Sequence, residues 1–310
     1  MVLKNGDFCM DTKNEELFKR YLNPTRGSHY VKREYLSNWS SDGTHILTCR
    51  DKTNFVSNNL KDVCTERDMY KMEKLTNLEL MQVQTFYKNS KPRVKEINDS
   101  FIGMWQLACS IMENKDNPED KNLANKIAIQ CGEDLQSNFE STLDDCIKKC
   151  LLNCEESFLD QDDKLLNFGL YLFSQYLRTQ KQKNKVINNL ENANHFENIK
   201  GQLNPEKLWK VLIIIMTNMA SYELLSRKET NHICFIKSNQ KALITSDQPV
   251  VNIAKDIDHD YVKFYYPISP SVSIIFPVEK FSIIEDDISL IKKMNDVIIN
   301  NSYRMFFKLK

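Results

Sequence analysis

Along the first sixty residues the apolar positions come in short runs broken by polar turns. Through the middle of the chain they recur at helical spacing, and towards the end they return to short β-branched runs. Glu15–Tyr21 predicts a short helix, ended by Asn23-Pro24 and Gly27. His45–Cys49 and Asn54–Val56, separated by Arg50-Asp51-Lys52, predict a small hairpin. From Leu60 to about Arg227 the period is helical, with Met72–Tyr87 and Phe101–Met112 as amphipathic segments. Asn117-Pro118-Glu119-Asp120 is a helix start: Asn as cap, Pro at the first helical position, acids in the first turn. It opens a long helix or helix pair running to about Cys154. Leu165–Lys183 predicts one further helix. Asn204-Pro205-Glu206 repeats the start signal and opens Leu208–Leu225, apolar nearly all round and therefore a buried helix.

After Lys228 the runs His232–Ile236, Ala242–Thr245, Tyr261–Tyr266 and Val272–Phe276 are rich in β-branched and aromatic residues and predict an antiparallel meander. Ile284–Asn301 predicts a closing amphipathic helix and Tyr303–Leu309 a last strand returning to the sheet. The expected fold class is α+β, a helical body with a small, mainly antiparallel sheet formed by N-terminal and C-terminal segments. The expected organisation is one domain over 1–310: an N-terminal signature and short strands over 1–58, the helical body over 59–228, and C-terminal strands with the closing helix over 229–310.

Composition narrows the function classes. Lys plus Arg equals Asp plus Glu at 42 each, so no global basic field draws the chain to nucleic acid or anionic lipid, although a local patch is compatible with this balance. The apolar run Leu212–Met216 is far short of the roughly 20 residues of a bilayer span, so a core helix and no membrane partner are expected. The first residues turn polar at once, nine cysteines show no secreted disulfide framework, and a reduced, cytoplasmic protein is expected. Cys146, Cys150 and Cys154 would share one helix face with Leu143, Ile147, Leu151 and Phe158. Strung along about 12 Å of helix they do not converge on one ion, so buried packing and no metal site is the expectation.

Three polar clusters stand inside apolar surroundings. Gly27-Ser28-His29-Tyr30-Val31-Lys32-Arg33-Glu34 places an imidazole and a guanidinium four residues apart after a turn. His29 suits general acid or base work and Arg33 suits an anion; the plainer alternative is a helix start capped by Ser28. His45, His195, His232 and His259 lack such neighbours. On the Leu165–Lys183 helix, Gln175, Arg178 and Gln182 lie opposite the stripe Leu166, Leu170, Phe173 and Leu177. A buried Arg178 needs an anionic or multiply hydrogen-bonding partner, and Asp247, at the exit of the Ala242–Thr245 strand, is the expected one. For Asp247 alone a turn-capping role is the stronger expectation.

Taken in order, His29-Tyr30-Val31-Lys32-Arg33-Glu34-Tyr35-Leu36, Asp62-Val63-Cys64 to Asp68-Met69-Tyr70, Gln175-Tyr176-Leu177-Arg178-Thr179, Leu243 to Val250, Tyr266-Pro267-Ile268-Ser269-Pro270 and the helix running from Asn295 to Met305 form a series. It resembles domain-of-unknown-function family 4238 of bacterial proteins over roughly residues 27–308. Lys32 stands where that family has proline, and Gln248 where it often has asparagine. The resemblance implies a shared fold and site but no reaction, and a defence or toxin setting is its implication alone. The expected activity is phosphodiester hydrolysis, nuclease-like, on RNA or DNA. His29, Arg33, Gln175, Arg178 and Asp247 would be catalytic, and Tyr30, Lys32, Gln182 and Gln248 would bind substrate; no cofactor is identified. The alternative is a non-catalytic sensing or interaction module whose polar pairs are structural.

Overall fold

The structure is a computed structural model that describes residues 19–24, 26–113, 117–192, 201–254 and 262–309. Short elements come first: β1 (Gly27–His29), α1 (Arg33–Ser37), β2 (His45–Cys49), β3 (Phe55–Asn59) and β4 (Thr65–Arg67). The body follows as α2 (Asn77–Tyr87), α3 (Pro92–Glu113), α4 (Pro118–Ser141), α5 (Asp145–Asn153), α6 (Asp162–Leu177), α7 (Gln180–Asn192) and α8 (Pro205–Ser226). The chain ends with β5 (His232–Lys237), β6 (Thr245–Ser246), β7 (Val251–Asn252), β8 (Phe264–Ser269), β9 (Val272–Val278), β10 (Ser282–Glu285), α9 (Ile288–Asn301) and β11 (Phe306–Lys308).

The helix starts follow local chemistry. Asn117 and Asn204 accept the backbone N–H of Asp120 and Lys207, with Pro next in each helix. Thr76 and Glu79 form a reciprocal capping box, so α2 starts at Asn77 and not at Met72. The expected helix Leu165–Lys183 is two helices. Thr179 turns its hydroxyl back to the Tyr176 carbonyl at 3.2 Å and across to Gln248, which diverts the backbone after Arg178. Only 19–21 of the expected Glu15–Tyr21 helix is described, and it is helical, the helix running on to 22; the residues before it, His195, His259 and Tyr261 lie outside the described residues.

The α+β class holds, but with three sheets in place of one. β1 and β4 form a two-stranded ribbon where helical periodicity was expected from Leu60 onward. A four-stranded sheet, ordered β3-β2-β11-β6, joins the two ends of the chain. A five-stranded sheet, ordered β10-β5-β9-β8-β7, is C-terminal alone, and β10 runs parallel to β5. That parallel pair needs no crossover helix, because β10 runs antiparallel to β9 and the turn 279–281 stays at one end of the sheet. Ser282–Glu285 therefore belongs to a strand, and the closing helix begins at Ile288 behind the Asp287 cap. Ala242–Ile244 belongs to no ladder: its backbone groups bond Ser238, Pro270, Trp39 and Asn295.

The core forms where α6 lies between α8 and the five-stranded sheet. Gly169 allows the close approach of α8, since a Cβ there would stand 3.2 Å from Leu224 and Ser221. Phe168 meets Phe276 and Phe173 meets Phe264 edge to face. Each such buried ring stabilises by about 1.5–3 kcal/mol. α8 is long and apolar enough to cross a membrane, yet Leu208, Trp209, Leu212, Ile214 and Ile215 are buried inside the protein. α1 is fastened to the C-terminal region: Tyr35 Oη donates to the Pro267 carbonyl at 2.8 Å and Trp39 Nε1 to that of Leu243 at 2.8 Å.

Candidate active site

A cleft of about 680 Å³ opens between the β1–α1 segment and α4. Gly27, His29, Lys32 and Arg33 form one wall; Glu133, Gln136, Ser137 and Glu140, which share one face of α4, form the other; Tyr70 and Arg178 also line it. The walls are held together locally. His29 pairs with Thr65 in the β1–β4 ribbon, and the Tyr30 N–H donates to Cys64 at 2.9 Å. Ser28 is buried and donates its hydroxyl to Glu133. The strand places Ser28, so it caps no helix; α1 starts at Arg33 without a side-chain cap. His29 and Arg33 therefore meet across a strand-to-helix turn, not one turn apart on a helix.

Arg178 ends α6 and is 1% exposed, in contact with the cleft floor. Its Nη1 donates to Glu140 Oε1 at 2.5 Å, while Nε and Nη2 are buried with no hydrogen-bond partner among the described residues. Tyr70 Oη and His29 Nδ1 are likewise buried without one. Such orphaned polar atoms are uncommon in a folded interior and cost about 1–3 kcal/mol each. Arg33 has no hydrogen-bond or ion-pair partner among the described residues. Lys32 is held by Glu34 at 2.7 Å, and Glu34 is shared with Lys148.

The protonation states diverge. Burial pulls the His29 imidazole below its ordinary value, the Arg33 charge pulls it further, and Glu140 opposes both. Burial pushes Glu133 up to about 7; the Ser28 hydroxyl lowers it and the nearby Glu140 raises it. Burial works against the Arg178 charge, but Glu140 and Tyr70 outweigh it and keep the guanidinium ionised. A neutral imidazole and a protonated carboxyl can thus coexist near neutrality, which is the condition for paired base and acid work.

Of the residues singled out from sequence, the cleft brings together His29, Lys32, Arg33 and Arg178. It does not include Asp247. That carboxylate accepts the N–H groups of Tyr303, Arg304 and Met305 at 2.8, 2.7 and 3.2 Å and joins the approach to β11. The expected Arg178–Asp247 pair does not form, because Glu140 reaches the guanidinium first and backbone donors saturate Asp247. Tyr30 is in the core. Gln248 is buried between Thr179 and the Val250 carbonyl, and Gln182 is buried on α7 beside Tyr176. Gln175 is fully buried away from the cleft, with both amide atoms unpartnered among the described residues. His45 and His232 do have acidic neighbours, Asp42 and Glu156. Among the cysteines, Cys154 caps α5 in the left-handed region at φ 59° and Cys146 is exposed, so the three do not form one buried stripe.

Glu133, Gln136 and Glu140 stand in none of the sequence motifs, and Tyr70 stands in one without a site role. The signal present was a polar set at 133, 136, 137 and 140, one face of a helix whose other positions gave no reason to bury it.

The family model described as a protein of unknown function (DUF4238) matches residues 28–309, and the chain belongs to that family. Neither the curated proteins nor the solved structures contain a match to it.

Proposed function

We propose that this cleft is a phosphodiester-cleaving active site and that the chain is a nuclease-like hydrolase. The observation that carries the reading is Arg178, a buried guanidinium with two unpartnered N–H edges beside an imidazole and a neutral-range carboxyl. A fork of this kind matches two oxygens of a phosphoryl group, and Arg33 supplies a second cation at the rim. His29 acts as base, Glu133 as acid, and the Tyr70 hydroxyl donates to charge developing on phosphorus-bound oxygen. Glu140 orients Arg178 so that its other edges are free. Asp247 and Gln248, by contrast, have the sealed, satisfied environment expected of structural groups.

The test is cleavage of bis(p-nitrophenyl) phosphate and of labelled oligonucleotides by the purified chain and two variants. His29→Ala removes a side chain at the cleft wall and is expected to melt near wild type while losing activity by roughly 100-fold or more. Arg178→Ala strands Glu140 and is expected to lose activity together with about 3–5 kcal/mol of stability. Full activity in both variants would return the cluster to the structural alternative.

A further inference from the structure

We propose that the substrate is single-stranded RNA, cleaved through its own 2′-hydroxyl to leave a 2′,3′-cyclic phosphate and a 5′-hydroxyl end. This rests on the cleft being a phosphodiester-cleaving site. Three features of the cleft select that substrate. The first is its size: about 680 Å³ falls within the range of roughly 300–1,000 Å³ of small-ligand sites, so it takes one linkage with its flanking nucleosides and not a duplex.

The second is the division of polarity between the walls. Among the described residues Arg33 has no partner on the β1–α1 side, and Arg178, whose Nε and Nη2 are buried without one, lines the cleft; both cations suit phosphate oxygens. The facing side of α4 presents Gln136 and Ser137, groups able to bond a ribose 2′-hydroxyl that is both donor and acceptor. The cleft's other acids are engaged by cations, Glu140 by Arg178 and Glu34 by Lys32 and Lys148, so they do not present free charge to a polyanion.

The third is that the set closes a proton cycle with an internal nucleophile. His29 takes the 2′-hydroxyl proton; the 2′-oxygen forms a new bond to phosphorus as the bond from phosphorus to the 5′-oxygen breaks. The Glu133 carboxyl gives its proton to the departing 5′-oxygen, and the two side chains exchange protons with solvent to reset. No co-reactant enters. A tethered nucleophile brings an effective concentration on the order of 10⁵–10⁸ M, which lets one base, one acid and two cations suffice.

The purified full chain is incubated with end-labelled single-stranded RNA, the same sequence as DNA, and RNA carrying a single 2′-deoxy residue at the cleaved position; product ends are read by mass spectrometry. The expected result is cyclic-phosphate and 5′-hydroxyl ends from RNA, with the deoxy-blocked position and the DNA cut at least about 1,000-fold more slowly. Glu133→Gln is expected to slow the ordinary linkage strongly but to spare one with sulfur in place of the bridging 5′-oxygen, because a thiolate leaves without a proton. DNA cut as fast as RNA, 5′-phosphate ends, or equal losses on the oxygen and sulfur linkages would each overturn the inference while leaving the phosphodiesterase reading in place. Failure to cut any of these or bis(p-nitrophenyl) phosphate would overturn both.

Discussion

Asp247 is buried with three backbone N–H groups on its carboxylate, whereas Glu133 is half-buried and accepts the Ser28 hydroxyl. The difference in donors decides what each can do. For Asp247, burial raises the pKa and the N–H groups of Tyr303, Arg304 and Met305 pull it back. Replacing it by Ala leaves those three donors without an acceptor, at about 1–3 kcal/mol each before relaxation. Asp247→Ala is therefore expected to lose about 3–5 kcal/mol in urea denaturation, and Asp247→Asn less, because one oxygen remains. A change within about 0.5 kcal/mol for the alanine variant would contradict the assignment. Glu133 behaves oppositely. Its folded pKa, about 7, lies above its unfolded value, so the folded state binds the extra proton between those two values. The stability it contributes is present below the unfolded pKa and is lost as pH rises through about 7, a loss of about 3 kcal/mol at 1.36 kcal/mol per unit. Glu133→Gln has no such proton, so its stability should fall less than wild type between pH 5 and pH 8; parallel curves would refute the raised pKa of Glu133. The same two groups shape activity, which should rise with pH through the lowered His29 pKa and fall as Glu133 ionises near 7.

At the scale of elements, the cleft depends on how closely α4 approaches the segment that follows β4. A Cβ on Gly132 would stand 1.9 Å from the Tyr70 carbonyl oxygen, and the Met72 N–H donates to the Ala128 carbonyl at 3.0 Å just alongside. Gly132→Ala must push these backbones apart, and Tyr70 and Glu133 move with them. The expected cost is about 1–3 kcal/mol or more, with a loss of cleavage activity larger than the loss of folded protein. Wild-type activity in a Gly132→Ala protein would mean that α4 is not fixed against Tyr70. This contact also marks where sequence reading reached its limit. Helix starts at Asn117 and Asn204 were legible because a cap acts within three residues of itself. The break after Arg178 was not, because Thr179 is diverted by Gln248, far along the chain. Buried Arg178 was legible from the apolar helix that carries it, but its partner was not. Glu140 sits on a helix whose polar residues read as solvated, and nothing local distinguishes it from Asp247 as an acceptor. The ribbon β1–β4 was missed because three-residue strands carry too little alternation to show a period.

At the scale of the whole molecule, one buried cluster contains both Tyr30 and Phe307, a smaller second one contains Cys49, Ile298 and Phe306, and β11 sits inside a sheet between β2 and β6. Phe306 pairs with Cys49 on one side and Ser246 on the other, while Phe307 pairs with Thr48 and Thr245. The last strand thus closes the sheet that holds β2, and Thr245 also meets the Tyr35 hydroxyl at 2.6 Å, on the helix that begins at Arg33. The cleft wall is tied to the end of the chain through these contacts. Phe307→Ala is expected to lose about 3–5 kcal/mol, a large share of the roughly 5–15 kcal/mol of a typical domain. Because that loss falls on the shared core, circular dichroism of the helices and tryptophan fluorescence should move together in one transition at lower temperature. Deleting 303–309 removes the strand and also strips Asp247 of its three N–H donors, so the truncated chain is expected to have no cooperative transition at all. A truncated protein whose helices melt as in wild type would show that the helical body folds by itself, and the chain would then be two domains with the cleft at their junction.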